Sequence, residues 1–305
     1  MASTRIPSSV ANHMTNLPLP KEVAAIVENY STYRLSFNNQ IVARLLPKGF
    51  DFIVPRFSCC GERFTVIIEE PRVFVFDTEY YLISQFTFHP YVAGVCIDNK
   101  RDLIFLLHSE TDIISQPLLI SSFDTGGKQI TSFSLRASTI LFGLQNMKIS
   151  ADGNVILKTS DNISGDKFSI EIWSIHGKLI RSMHFPLRVE DFDVGPGCEI
   201  FFCDYEPELS EEETITNHDK ENLWKINKFG NIMFKLAIDF HPAGIFCDSV
   251  GNVICFNKSA MHVFSSDGTF MGQLPVSIDI SQYNPSMIVS DSGKITICVG
   301  TVIYC

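Results

Sequence analysis

The stretch FHPAGIFCDSVGNVICFNKSAMHVFSSDGTFMGQL occupies residues 240–274 and contains four short apolar segments separated by turn residues. The first segment ends at residues 248–252 (DSVGN), whose Asp, Gly and Asn are favoured in tight turns. The third segment is followed by residues 266–268 (SDG), a hairpin signal. The pattern therefore predicts four short strands joined by tight turns, which form an antiparallel sheet.

Variants of this pattern recur along the chain. An aromatic residue and a prolyl dipeptide open three copies, at His89-Pro90, His241-Pro242 and Asn284-Pro285, and an Asp-led turn follows each. A looser copy occupies residues 147–157, and the four steps from residue 89 to residue 284 average about 49 residues. Because a four-stranded sheet cannot bury both of its faces alone, each copy needs neighbours on either side. The repeat therefore predicts an all-β fold, a β-propeller of four-stranded antiparallel blades.

The repeat boundaries predict six blades. Five full units occupy residues 49–88, 89–140, 141–186, 187–238 and 239–278. Residues 284–305 supply about three further strands, and a strand–turn–strand pattern occupies residues 33–45. We predict that an N-terminal strand completes the C-terminal blade and removes its free edge. Seven blades is the rival count, because the 33–45 hairpin would then belong to another blade. Residues 1–31 are predicted to be a flexible tail and a short helix, and residues 32–305 the propeller.

The bulk composition limits the classes of partner. The net charge of −10 and the pI near 5.3 argue against nucleic acid, which requires a basic surface. No apolar run is long enough to span a membrane, and no secretory signal is visible. The nine cysteines show no zinc-ligand spacing and favour buried, reduced thiols, which predicts a reducing compartment and a cytoplasmic location.

One blade resembles an NHL repeat. The matching positions run from a prolyl-glycyl segment through an Asp-led turn to a Val-Phe strand and a final Gly-x-Phe: Pro242, Gly244, Ile245, Asp248, Gly251, Asn252, Val253, Val263, Phe264, Gly268 and Phe270. Residues 141–184 and 284–299 match partly. The resemblance implies a six-bladed propeller and, most often, a platform for binding protein or RNA. Some similar propellers are lactonases, lyases or other hydrolases, so the fold leaves the activity open.

Three polar insertions separate second and third strands, at residues 108–116, 159–167 and 204–222. In a propeller these loops share one face with the connections that enter each first strand. Long loops on a rigid scaffold are common binding sites. The third insertion is densely acidic, and its candidate interaction residues are Glu206, Glu208, Glu211, Glu212 and Glu213. A solvated loop without a partner is the alternative interpretation.

Polar residues near the start of several first strands are candidates for a site at the mouth of the central channel. They are His89, Asn146, Glu190, Asp191, His241 and Asn284. Such a set can hold a divalent cation or polarise a carbonyl group. Against this, His-Pro and Asn-Pro also serve simply to turn the chain into a strand. No nucleophile elbow, phosphate-binding loop or zinc-protease motif is present, so we assign no catalytic residue and no cofactor.

Three functional hypotheses follow. The first is a non-enzymatic scaffold that binds another protein, with a basic surface, through the face that carries the insertions. The second is a lactonase-like hydrolase with a divalent cation at the channel mouth. The third is a structural component of a large assembly, whose N-terminal tail becomes ordered on docking.

Overall fold

A computed structural model describes residues 57–78, 81–110, 118–135, 147–160, 167–205, 221–257, 260–275, 286–289, 295–299 and 302–304. The regular elements in these ranges are β-strands, and none of the ranges contains a helix of the length and apolarity that crossing a membrane requires. The strands form five four-stranded sheets and one three-stranded sheet. Neighbouring strands are antiparallel and follow chain order. The fold is therefore an all-β propeller of four-stranded antiparallel blades, as the sequence predicted.

The five blades are numbered in chain order. Blade 1 contains β1 (Phe57–Cys60), β2 (Phe64–Glu69), β3 (Arg72–Asp77) and β4 (Leu82–Thr87). Blade 2 contains β5 (Tyr91–Asp98), β6 (Leu103–Ser109), β7 (Leu118–Phe123) and β8 (Gln129–Ser134). Blade 3 contains β9 (Met147–Ile149), β10 (Val155–Ser160), β11 (Phe168–Trp173) and β12 (Leu179–Phe185).

The remaining strands complete the chain. Blade 4 contains β13 (Arg188–Val194), β14 (Ile200–Tyr205), β15 (Glu221–Ile226) and β16 (Ile232–Ile238). Blade 5 contains β17 (Gly244–Cys247), β18 (Val253–Phe256), β19 (Ala260–Phe264) and β20 (Phe270–Pro275). The three-stranded sheet contains β21 (Ser286–Val289), β22 (Ile295–Val299) and β23 (Val302–Tyr304).

The number of full blades differs from the prediction. The described residues form five four-stranded blades, not six, and the last sheet has three strands. The strand predicted to complete that sheet, the hairpin at 33–45 on which the rival count of seven depends, and the tail at 1–31 all lie outside the described residues. Each of the five full repeat units predicted from the sequence contains one complete blade.

The first strands of the sheets lie around a common axis. They contact one another in the cyclic order β1, β5, β9, β13, β17, β21, and β21 contacts β1. Side chains of these strands therefore surround a central channel. We call the end where the first strands begin the loop face, because the connections between second and third strands also emerge there. The opposite end is the turn face.

Tight turns of one kind dominate the turn face. In residues 124–128 (DTGGK), the Gly127 N–H donates to the Asp124 carbonyl, and the Asp124 N–H donates to the Lys128 carbonyl. The Asp124 carboxylate accepts the N–H groups of residues 126 and 128, which satisfies donors that a turn would otherwise leave unpaired. The same pair of backbone bonds recurs in turns that begin at Ser150, Ser174, Gly195, Asn227, Asp248 and Ser265.

Apolar side chains from successive blades form the core. Ile104 and Leu106 of blade 2 pack on Val66 and Val75 of blade 1, and similar clusters join blades 2 to 3, 3 to 4 and 4 to 5. Alternation along a strand sends neighbouring side chains to opposite blades. The fourth strands, at the outer edge, have alternately exposed and half-buried residues instead, as in β4 and β8.

Candidate functional site

Three charged side chains of the first strands meet in the central channel: Lys148 of β9, and Asp191 and Asp193 of β13. Phe192, between the two aspartates, is buried in the core shared by blades 3 and 4. Strand alternation therefore directs both aspartates toward blade 5. The sequence predicted Asp191 as a site residue, but it did not single out Lys148 or Asp193.

Both aspartates bind the backbone of the next first strand. Asp191 Oδ2 accepts the Ile245 N–H at 3.1 Å, and Asp193 Oδ2 accepts the Cys247 N–H at 2.8 Å. Asp191 Oδ1 also accepts the N–H of Phe192 at 2.8 Å. A carboxylate that accepts backbone N–H groups satisfies the donors of a strand edge that has no strand beside it. The aspartates therefore join blade 4 to blade 5.

Lys148 extends this link to blade 3. Its ammonium lies 3.2 Å from Asp193 Oδ1 and 5.4 Å above the ring of Phe246. The Lys148 side chain is 19% exposed and that of Asp193 is 16% exposed. Burial alone would lower the pKa of Lys148, but Asp193 and Asp191 outweigh burial and raise it, so the amine is charged at neutral pH. Burial raises the pKa of Asp191, and Lys148 and Lys158 oppose that effect.

The cysteines near the channel are protonated thiols. Burial raises the pKa of Cys59 to about 11, and it also raises the pKa of Cys96 and Cys247. Six cysteines in the described ranges have free thiols: Cys59, Cys96, Cys198, Cys203, Cys247 and Cys255. Because the thiolate is the reactive form, these side chains serve as small apolar groups rather than nucleophiles.

A second cluster lies on the loop face, where the acidic insertion leaves and rejoins blade 4. Asp204 Oδ1 accepts the Asn222 N–H at 2.9 Å and the Asn222 side-chain amide at 3.0 Å. The buried carboxylate of Glu221 contacts Nδ1 of His241, whose side chain is 61% exposed. These contacts fix both ends of the insertion on the rigid sheet and connect it to the start of blade 5.

The other predicted site residues have different outcomes. His89 is exposed in the connection from β4 to β5, and Glu190 lies in β13. Asn146, Asn284 and the acidic residues Glu206, Glu208, Glu211, Glu212 and Glu213 lie outside the described residues. Within the part of the chain that the structure describes, no group of three or more His, Cys, Asp or Glu side chains is gathered to hold a metal ion.

A buried histidine on the loop face was not predicted as a site residue. His108 Nε2 is 2.8 Å from the Ser121 hydroxyl, which donates to the Ser132 hydroxyl at 2.9 Å. The imidazole and the ring of Phe88 form a T-shaped pair with a centroid distance of 4.9 Å, and Nδ1 has no hydrogen-bond partner among the described residues. Burial lowers the pKa of His108 to about 4, so the ring is neutral at pH 7.

Comparison with known proteins gives the fold. No family model and no curated protein sequence match this chain. A gluconolactonase from Xanthomonas campestris superposes with a TM-score of 0.52 at 13% identity, over 82% of this chain and 85% of that one. The WD40 domain of Pan2 from Neurospora crassa gives a TM-score of 0.51 at 11% identity, over 82% of this chain and 74% of that one.

A protein of unknown function from Bacteroides caccae is similar to the same degree, with a TM-score of 0.50 at 9% identity, over 77% of this chain and 85% of that one. The chain is a β-propeller. At these identities the likenesses show the fold alone, and the NHL family that the sequence resembles has no support from a family model.

Proposed function

We propose that this propeller is a non-enzymatic scaffold that binds another protein through its loop face. The proposal rests on the bonds that the channel carboxylates of Asp191 and Asp193 make within the propeller. Both oxygens of Asp191 accept backbone N–H groups, and Asp193 is shared between a backbone N–H and Lys148. These groups connect blades, so they are already engaged in holding the ring together. Binding is therefore assigned to the loops.

The acidic insertion is the proposed binding element. Asp204 and Asn222 hold its two ends together on blade 4, which supports presentation of Glu206, Glu208 and residues 211–213 from a fixed base. The chain has a net charge of −10, so a partner with a basic surface has a complementary potential and associates faster. The free cysteines agree with a reducing, cytoplasmic location.

We propose further that the ring has six blades. The three-stranded sheet follows blade 5, and its strands β21 and β22 contact β1 of blade 1, so it occupies the place of a closing blade. Among the described residues, no strand pairs with the outer edge of its last strand, β23. A strand from residues 33–45 is the proposed fourth member, which would join the two ends of the chain.

Affinity capture with matched variants tests the scaffold proposal. The wild-type chain is compared with a variant that has Gln at 206, 208 and 211–213, and with one that has Asp at the same positions. The proposal expects a captured protein with a basic surface, lost with the Gln variant, retained with the Asp variant, and weakened by salt. Equal capture by the wild-type and Gln variants contradicts it.

Elemental analysis tests the hydrolase alternative. The purified protein is analysed for calcium, magnesium and manganese, and gluconolactone hydrolysis is followed with and without chelator. One cation per chain, lost on Glu190→Gln together with lactone hydrolysis, favours the enzyme. A chain without a stoichiometric cation, and without hydrolysis above the uncatalysed rate, favours the scaffold.

A further inference from the structure

The outer edges of blades 3 and 4 differ in charge from the rest of the molecule. Residues 174–185 and 227–238 contain β12, β16 and the tight turns before them. They contribute Lys178, Arg181, Lys228 and Lys235 and not one Asp or Glu, although the chain carries a net charge of −10. The fourth strands of blades 1, 2 and 5 have no charged residue at all. Among the fourth strands of the described blades, the cations are therefore confined to blades 3 and 4.

Two of the cations face each other across the boundary between blades 3 and 4. Arg181 is opposite Ile172 in the sheet, and Ile172 is buried in the core between these blades. Lys235 is opposite Trp224, which packs on the same core from the other side. Arg181 and Lys235 therefore line one groove, which we call the outer groove. Neither has a carboxylate partner among the described residues.

Aromatic rings form the floor and rim of the outer groove. The Arg181 guanidinium lies 5.5 Å above the ring of Phe229, and the Lys235 ammonium lies 4.6 Å above the ring of Trp224. The Trp224 ring stacks on Phe202, and its Nε1 donor has no acceptor within the described ranges. Because Gly230 is in contact with Met183 of β12, the two blades form a continuous surface here.

The rim of the outer groove is unusually apolar for an exposed surface. Phe229 is 58% exposed, Ile232 is 59% exposed and Met233 is 54% exposed. Aromatic residues, Met and Arg are the residues enriched at the centre of protein interfaces. Lys228, at the edge, lies 3.8 Å from Asp152 and so has a partial counter-charge, which leaves Arg181 and Lys235 as the central cations.

We propose that the outer groove binds an acidic, apolar segment of a partner protein. Apolar side chains of the segment pack on Phe229 and Ile232, and its carboxylates pair with Arg181 and Lys235. Two central cations are too few for the phosphate contacts of a nucleic acid, and their position at the boundary between two blades, beside exposed aromatic and aliphatic side chains, fits a peptide better than a flat lipid surface. This surface is separate from the loop face, so the inference goes beyond the proposed scaffold site.

Peptide display on the full chain tests the inference. A random peptide library is selected on the wild-type protein and counter-selected on an R181E/K235E double variant. Selected peptides should combine carboxylates with aromatic or aliphatic residues. Fluorescence anisotropy with the best such peptide should show affinity reduced by about tenfold or more in R181E/K235E and in F229S. Because these side chains are exposed, we expect the variants to melt with the wild type.

Two control variants separate this site from the loop face. K128E makes a single Lys-to-Glu change on an exposed turn of blade 2, and the Gln variant at 206, 208 and 211–213 neutralises five carboxylates of the acidic insertion. Both should bind the selected peptide with wild-type affinity. Selected peptides without acidic residues, or unchanged affinity in R181E/K235E, overturn the inference. Binding to phosphatidylserine vesicles that R181E/K235E abolishes, without binding to acidic peptides, also overturns it.

Discussion

At the scale of single residues, Lys148 is the cation that compensates the charge of the aspartates in the channel. It lies beside Asp193 at 3.2 Å and its pKa is raised by both Asp193 and Asp191, so one cation compensates two largely buried carboxylates on this side. Lys158 contributes from blade 3, where its ammonium donates to the Val189 carbonyl at 3.3 Å. Removing one member of such a group leaves an uncompensated buried charge, which costs more than the net contribution of the pair.

Lys148→Met should therefore destabilise the protein at pH 7 by about 3 kcal/mol, measured as the free energy of unfolding in denaturant. The loss should shrink at acidic pH, because protonation of the aspartates removes the repulsion between them. The double variant Lys148→Met/Asp193→Asn keeps an acceptor for the Cys247 N–H and should recover part of the stability. Equal unfolding free energies for Lys148→Met and the wild type would rule out this role.

We expect the burial of His108 to make the free energy of unfolding depend on pH. Its pKa is about 4 in the folded protein against an ordinary value of 6.5, so the unfolded chain binds the proton more tightly. The free energy of unfolding therefore has its full value above pH 6.5. It decreases as the pH falls toward 4, by roughly 3 kcal/mol at the lower end. Unfolding free energies of the wild type and His108→Gln, measured across this range, should converge as the pH falls. A constant difference between them would contradict the assignment.

The sequence predicted Asp191 as a site residue, but it did not predict Lys148 or Asp193. Asp191 stood out because it follows Glu190 near the start of a first strand. Lys148 lies between Met147 and Ile149 in a short apolar strand, and a charged residue inside a buried strand is the signal that would have indicated a buried ion pair. Its partner Asp193 comes from another blade, and a single sequence does not specify which side chains meet across blades.

At the scale of elements, the tight turns connect neighbouring blades as well as strands. Gly177 in the turn from β11 to β12 has a φ of +79°, and a Cβ atom there would lie 2.6 Å from Cβ of Phe133 in blade 2. Similar glycine–side-chain contacts join Gly127 to Phe86, Gly230 to Met183 and Gly268 to Phe234. The turn of each blade therefore packs on the fourth strand of the blade before it.

Gly177→Ala should cost more than the backbone conformation alone requires. A positive φ costs an alanine about 1 kcal/mol, and displacement of Phe133 should add roughly 1–2 kcal/mol. Gly251→Ala is the matched control, because Gly251 has a φ of +92° but its nearest Cβ contact is 3.5 Å. Thermal melting should show a larger decrease for Gly177→Ala, and equal decreases would mean that the contact with Phe133 contributes nothing.

The turns were the most predictable elements of the fold. Asp, Asn or Ser at the first position and Gly at the fourth specify a local hydrogen-bond pattern that needs no long-range contact, as in residues 248–252. The turn at residues 195–199 departs from it, with Cys198 at a φ of +64° in place of glycine. The contact of each turn with the preceding blade depends on ring geometry, which the local pattern does not contain.

At the scale of the whole molecule, the repeat predicted the order and the limits of the blades. Each predicted unit from 49–88 to 239–278 contains one four-stranded sheet, because each copy carries its own turn signals. The number of blades was less predictable, since it depends on how the two ends of the chain meet. The described residues leave the last sheet with three strands next to blade 1.

Two N-terminal truncations test the proposed closure. Removal of residues 1–31 should leave the melting temperature unchanged, because this segment is assigned outside the propeller. Removal of residues 1–48 should lower it and promote concentration-dependent self-association, because it deletes the strand that is proposed to cover the free edge of β23. Adding residues 32–48 after Cys305 through a flexible linker should restore the melting temperature, since the strand would reach the same edge from the other end of the chain. A 1–48 deletion that melts with the wild type and stays monomeric would contradict closure by an N-terminal strand.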